Sequence, residues 1–330
     1  MGDTRDDTGK TTGAGPTGQG AYDVVVVGGG AAGLSAALVL ARARRRVAVV
    51  DAGEPRNAPA GHVHGFLTRD GTPPAELLAL GRAEVAGYGA ELLRGRVEHV
   101  EPGFVVRLDG GAVLLARRVL VATGLRDELP ELPGVREHWG AGVLHCPYCH
   151  AHEVRDQPLG VLGTGQGAVA QALLVRQWSP DVVLFAHTLR LSEDDRERLD
   201  ARGVRIVAGE VKALTSEDGR LSGVELADGR AVPRTAVFVF PRMVPRDELL
   251  TRLGCVRDEE GRVPVGPSGR TAVPGVWAVG NAVDPRALLV MAAGAGAAAA
   301  FELHHDLVAE ETEAAVLAAR AADGGVPPGG

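Results

Sequence analysis

Lysine is almost absent from this chain: Lys10 and Lys212 stand against 33 arginines. Acids outnumber bases and leave a net charge of -7, so the arginine excess reads as compositional bias and not as a basic binding patch. That balance argues against nucleic acid or an anionic membrane as the main partner. Long apolar runs are also missing. No stretch approaches the roughly 18 uninterrupted apolar residues that a membrane helix needs. Residues 1–20, rich in Gly, Thr and Asp, lack the apolar core of a secretory signal and read as a disordered tail. Cysteine is scarce, with Cys146, Cys149 and Cys255 the whole complement, which excludes a disulfide-stapled scaffold. A cytoplasmic address follows as the default expectation.

What is present suits a two-domain globular chain. Its 330 residues, 45% hydrophobic and 23% charged, are enough for two ordinary cores. Residues 22–27 form a valine-rich run of the kind buried on both faces of a parallel sheet. A glycine turn, a helix over 31–44 and a strand over 47–50 follow, and 119–122 is a further strand. A second cycle starts with a strand over 159–162, a glycine turn, a helix over 167–178 and a strand over 182–185. Strands over 204–207 and 237–240 extend it. A strand over 276–279, a turn at Gly280-Asn281 and a helix over 287–309 close the pattern and return to the first unit. The fold class is therefore α/β, with two doubly wound Rossmann-like domains, the first discontinuous. Residues 321–330, with their Gly and Pro, read as a second tail.

Gly28-Gly29-Gly30-Ala31-Ala32-Gly33 fits G-x-G-x-x-G between a strand and a helix. Gly28 allows the tight turn, Gly30 lets backbone approach a pyrophosphate, and Gly33 allows close helix packing. The helix N-terminus, including Ala31 and Ala32, offers amide donors and a positive dipole to phosphate. Asp51, closing the second strand, is placed to accept from ribose hydroxyls. The motif alone does not separate FAD from NAD.

Cys146-Pro147-Tyr148-Cys149 supports three readings. As half of a metal site it lacks a second Cys/His pair at ligand spacing, although His145, His150 and His152 are near in sequence. As a structural disulfide it closes too small a loop to stabilise much. As a redox dithiol it has sulfurs within bonding reach and flanking imidazoles able to promote a thiolate. Metal ligation is not the reading preferred here. Cys255, isolated among apolar residues, reads as a small buried hydrophobe.

In chain order, the first glycine turn, Ala122-Thr123-Gly124, the C-x-x-C pair, the second glycine turn and the segment from Pro274 to Asn281 resemble low-molecular-weight thioredoxin reductases. The likeness covers nearly all of residues 21–307. It implies FAD at the first turn, with Gly280, Asn281, Ala287, Leu288 and Leu289 facing the ribityl chain and ring edge. Asn281 stands where that family usually has Asp. The implied division is an FAD-binding domain over 21–126 and 247–320 and an NAD(P)-binding-like domain over 127–246 that carries the C-x-x-C.

The second turn, from Gly163 to Ala168, departs from a reductase. After Phe185 the chain offers Arg190 beside Glu193, Asp194 and Asp195, which repel a 2′-phosphate, and no acid at the strand end for the ribose of NAD. The reading preferred is a domain that keeps its fold without a bound nucleotide. The segments 56–59, 64–71, 145–150, 171–178 and 281–286 resemble more closely the FAD-dependent dithiol oxidases of gliotoxin- and holomycin-type biosynthesis. That resemblance implies a small-molecule dithiol and O2 as partners, H2O2 as product, and a homodimer. It puts Cys149 on the flavin side and Cys146 towards the substrate. His145 and His150 are the candidate bases, and Asp306 is an acid working with a histidine. An NADPH-dependent disulfide reductase remains open as an alternative, and so does a flavin redox sensor without turnover.

Overall fold

The structure, a computed structural model, describes residues 21–165 and 167–323. The tail expected over 1–20 lies outside the described residues. The chain opens with β1 (Tyr22–Val27), α1 (Ala31–Arg42), β2 (Val47–Asp51), α2 (Pro74–Gly87) and β3 (Glu91–Arg94). Val24, Val25 and Val26 are fully buried, as a strand covered on both faces requires. β4 (Val97–Glu101), β5 (Val105–Leu108) and β6 (Val113–Val121) form an antiparallel meander, and β6 then lies parallel to β1. The order is β3-β2-β1-β6-β5-β4.

After β7 (Leu125–Glu128) the chain enters a second sheet through β8 (Val143–Leu144), α3 (Pro147–His150), β9 (Leu159–Leu162), α4 (Gly167–Val175), β10 (Val182–Phe185), α5 (Glu193–Ala201) and β11 (Arg205–Val207). A three-stranded antiparallel sheet of β12 (Val211–Glu217), β13 (Arg220–Leu226) and β14 (Ala231–Pro233) follows, before β15 (Ala236–Phe238) inserts between β9 and β8. β16 (Arg242–Pro245) pairs antiparallel with β7, so the two crossings between the sheets run side by side. After α6 (Glu248–Arg252), β17 (Val276–Ala278) joins β6 in the first sheet and α7 (Leu289–Asp323) packs beside α1.

Helix ends differ from the sequence pattern for local reasons. The helix expected over 31–44 stops at Arg42, since Arg44 takes φ 64° and turns the chain out. The helix expected to end near 309 continues to Asp323, so residues 321–323, expected in the tail, are helical. Its later turns are exposed and charged, and ion pairs to residues distant in sequence supplement apolar burial as the anchor. Arg118 grips Asp306 at 2.6 Å, and Arg45 reaches Glu311 at 2.5 Å. Hydrogen bonds from Arg45 and Arg117 hold the Glu311 carboxyl down to about 2. Among the described residues, no helix is long and apolar enough to cross a membrane.

The close approach of α1 and α7 rests on backbone contact. A Cβ added at Gly296 would stand 2.0 Å from the Ala32 carbonyl oxygen, whereas one at Gly294 meets nothing within 4 Å. We expect Gly296→Ala to destabilise the protein by about 1–3 kcal/mol through overpacking. Gly294→Ala should stabilise it by about 0.5–1 kcal/mol through helix propensity. Denaturant unfolding of the two FAD-loaded variants checks this; equal shifts would contradict the packing account.

Candidate active site

The first glycine turn is shaped by what it touches. Gly28 takes φ +110°, and a Cβ there would lie 2.3 Å from the Ala122 oxygen, so the turn lies directly against Ala122-Thr123-Gly124. A Cβ at Gly33 would meet the Gly28 oxygen at 1.9 Å, which fixes how closely α1 starts behind β1. Gly30, in contrast, faces open space. The Asp51 carboxylate accepts from the Gly29 amide at 3.1 Å, so the acid that should meet a ribose also holds the turn. Every residue expected at this site except Gly33 lines one cavity of about 1760 Å³. Gly33 serves behind it as packing. This volume exceeds the roughly 300–1,000 Å³ of drug-sized pockets and suits a dinucleotide with room beyond it. The open backbone at Gly30 and the helix N-terminus fit the diphosphate of FAD.

Asn281 is held at the cavity wall by both ends of its amide. Its Nδ2 donates to the carbonyls of Asp284 (2.9 Å) and Ala287 (3.0 Å), and its Oδ1 accepts from Arg56 at 3.2 Å. Arg56 in turn makes a bidentate pair with Asp127 on β7, both bonds 2.8 Å long. The sequence pattern gave Arg56 and Asp127 no role, because their pairing spans 71 residues and no local spacing signals it.

Cys146 and Cys149 are joined as a disulfide, with Cα atoms 5.3 Å apart. Cys146 caps the single turn of α3, where Pro147 fits a first helical position. Both cysteines line the same cavity as the glycine turn, which brings the two sequence motifs to one place. His145 and His150 line it as well. The His145 ring Nδ1 lies 3.2 Å from the Val239 carbonyl oxygen, and the ring packs edge-on against Phe240 at 5.3 Å. A carbonyl only accepts, so Nδ1 carries the proton and Nε2 keeps its lone pair. Burial, with the positive charge of Arg56 adding to it, holds the His145 pKa below 6.5 despite the Val239 bond. Burial also lowers that of His150. Both rings are therefore neutral near pH 7.

Asp306 is not brought to this cavity. It sits well along α7, paired with Arg118 at 2.6 Å and Arg270 at 3.1 Å, and within this chain it clamps the helix to the first sheet. His304 on the same helix accepts from Arg45 at 3.1 Å. His64 lies at the cavity wall near Asp70 (3.3 Å) and Glu153 (3.5 Å). Cys255 is buried, and burial pushes its thiol pKa up, as for an inert core residue. Among the described residues no group of three or more His, Cys, Asp or Glu is arranged to hold a metal ion.

At the second turn, Phe240 lies against Gly167 with ring carbons 3.0–3.1 Å from where a Cβ on that glycine would stand. His187, just past the end of β10, accepts from the Val211 amide at 3.0 Å, and burial lowers its pKa. Its imidazole is therefore neutral and offers no cation. The acids Glu193, Asp194 and Asp195 form the first turn of α5. There Asp195 completes a capping box with Ser192, and negative charge favours the helix N-terminus.

Comparison with known proteins agrees with this architecture. The model of the pyridine nucleotide-disulphide oxidoreductase family matches residues 22–299. The crystal structure of HlmI superposes with a TM-score of 0.91 at 62% identity, over 94% of this chain and 99% of that one. Thioredoxin reductase sirT of Leptosphaeria maculans is 28% identical over 84% of this chain and 92% of its own length. Thioredoxin reductase aclD of Aspergillus oryzae is 30% identical over 79% and 88%. The glycine cradle and the disulfide that shares its cavity are thus those of a pyridine nucleotide-disulphide oxidoreductase, the family to which this chain belongs as a thioredoxin reductase-like flavoprotein that binds FAD.

Proposed function

We propose that the protein is an FAD-dependent dithiol oxidase that closes an intramolecular disulfide in a small natural-product dithiol. The observation that carries the reading is the asymmetry of the two glycine turns. Both turns leave their second glycine open, at Gly30 and at Gly165, but the second has Phe240 packed on Gly167 at its helix start and a neutral His187 beside it. A 2′-phosphate would meet Arg190 alone beside the acids Glu193, Asp194 and Asp195, which supports a domain without bound nucleotide. The likeness of segments 56–59, 64–71 and 281–286 to dithiol oxidases supports the same direction of electron flow.

The chemistry then follows from thiol–disulfide exchange. His145 Nε2 takes the proton of a substrate thiol, and the resulting thiolate attacks Cys146 Sγ, releasing Cys149 as the leaving thiolate. The second substrate thiolate attacks the substrate sulfur of this mixed disulfide, expelling Cys146 and closing the product ring. Two electrons now reside on the Cys146/Cys149 pair; of the two substrate protons, one is held on His145 Nε2 and the other, from the second thiol, on the cysteine sulfurs. FAD, when bound, would supply the two-electron acceptor for the Cys146/Cys149 pair, with O2 as the terminal oxidant and H2O2 as its product. Gly28, Gly30 and Asp51 would hold the cofactor, and Asn281, fixed by Arg56, stands at the cavity wall. His145 is favoured over His150 as the base because its Nδ1 bond to Val239 leaves a directed lone pair. Asp306 has no step in this sequence within one chain. A homodimer and a cytoplasmic location belong to the same proposal; the exposed Phe301, Val308 and Leu317 on α7 suit a subunit contact.

Anaerobic titration tests the reading. Dithiothreitol should bleach the flavin, and micromolar NADPH should not. Rapid bleaching by NADPH with none by the dithiol would overturn the oxidase assignment in favour of a reductase. Cys146→Ser and Cys149→Ser should each slow dithiol-driven bleaching by about 1000-fold or more, as loss of one member of an acting pair does; wild-type rates in either variant would exclude the pair from turnover.

The state of His145 sets a pH dependence. Burial holds its pKa below the ordinary imidazole value, so the base is neutral at pH 7 and above and is lost as the pH falls through that lowered value. We expect the bleaching rate to show an acid limb below pH 6.5 that His145→Asn removes, with a fall of about 100-fold at pH 8. An acid limb that persists unchanged in His145→Asn would assign it to another group.

A further inference from the structure

Gln171 is a buried polar residue that the scheme above does not use. It projects from α4, is 5% exposed, and belongs to the cavity wall. Its Nε2 donates to two backbone carbonyls, His145 at 2.7 Å and Val239 at 3.3 Å. Carbonyls only accept, so the amide must present its NH2 to them. These two carbonyls follow the adjacent parallel strands β8 and β15, and one side-chain amide bridges the strand ends. The Val239 carbonyl is also the acceptor for the His145 ring. Its two lone pairs are thus shared between Gln171 and the imidazole it orients.

The other end of the amide argues against a purely structural role. Gln171 Oε1 is buried and has no hydrogen-bond partner among the described residues. An orphaned buried acceptor costs about 1–3 kcal/mol. A leucine or methionine of similar size would fill this face of α4 without that cost. What such a side chain lacks is the pair of donors that holds Val239 and the His145 backbone in register.

We propose that Gln171 is a positioning residue: by clamping the His145 and Val239 carbonyls together it holds the His145 ring in its Nδ1–H tautomer, with Nε2 left free in the cavity that Cys146 also lines. The consequence for turnover rests on the reading of His145 as the base; the tautomer does not. The charged groups that act on His145 are Arg56 and Asp127, with the titratable but neutral His150 from α3, and none of them hydrogen-bonds Gln171 among the described residues.

The test is the tautomer itself, read by long-range proton–nitrogen correlation on FAD-loaded protein carrying nitrogen-15 histidine, with His145 assigned by its absence in His145→Asn. At pH 8 the wild type should show Nδ1 protonated and Nε2 bare. Gln171→Leu should average the two nitrogens and slow dithiothreitol-driven bleaching by about 10- to 100-fold, the scale of a small misplacement of a reacting group. Gln171→Met provides the same reading if the leucine variant does not fold. A wild-type His145 protonated on Nε2 would overturn the proposal without any variant. So would a fixed Nδ1–H tautomer in a folded Gln171 variant, even one that has lost activity. Averaged nitrogens with bleaching unchanged in both Gln171→Leu and His145→Asn would uphold the positioning role while removing His145 as the base.

Discussion

Backbone against backbone is the contact on which the first site depends. The start of α1 comes so near the end of β1 that the Gly28 carbonyl fills the place of a Gly33 side chain. The same turn rests on the Ala122 carbonyl, and α7 brings Gly296 against Ala32 from behind. These contacts aim the α1 amides at a common point and leave the space over Gly30 open. Phosphate recognition by a helix N-terminus needs that combination of rigid donors and an unobstructed approach. The clamp of Asp51 on the Gly29 amide shows the same economy, since the group expected to meet a ribose also fixes the loop that meets the phosphates.

Electrostatics at the disulfide end work in the opposite sense from many charged active sites. His145 and His150 are kept neutral by burial, and the Arg56 guanidinium next to His145 is itself neutralised by a bidentate bond to Asp127. A neutral imidazole near pH 7 accepts a proton; a charged one would instead stabilise a resting thiolate. The site therefore suits removal of protons from an incoming dithiol. Asn281 fits this picture, because its amide takes a bond from Arg56 without adding a further negative charge.

The sequence displayed much of this because its strongest signals are local. The valine run at Val24 to Val27, the glycine turn and Asp51 all lie within one strand–helix–strand unit, and the structure assembles them as that pattern requires. The Cys146/Cys149 pair is likewise a matter of neighbouring residues. Long-range partners were not legible. Arg56 meets Asp127, Gln171 meets Val239, and Phe240 covers Gly167 through contacts that no periodicity encodes. Asp306 marks the limit of the resemblance: it implied an acid working with a histidine, whereas within this chain Arg118 and Arg270, far away in sequence, take the carboxylate. Short strands such as Glu91–Arg94 at the sheet edge and Val97–Glu101 in the meander were missed because half-exposed runs of four or five residues carry little alternation.

The central claim concerns the source and destination of one electron pair. The most direct measurement follows oxygen uptake, H2O2 and dithiol together in air-saturated buffer, with dithiothreitol as the only reductant and free thiol counted at the end. The account predicts one O2 consumed and one H2O2 formed per dithiol closed to its disulfide, with no nicotinamide nucleotide present and with turnover lost in Cys149→Ser. Turnover that requires NADPH and leaves oxygen untouched would contradict it.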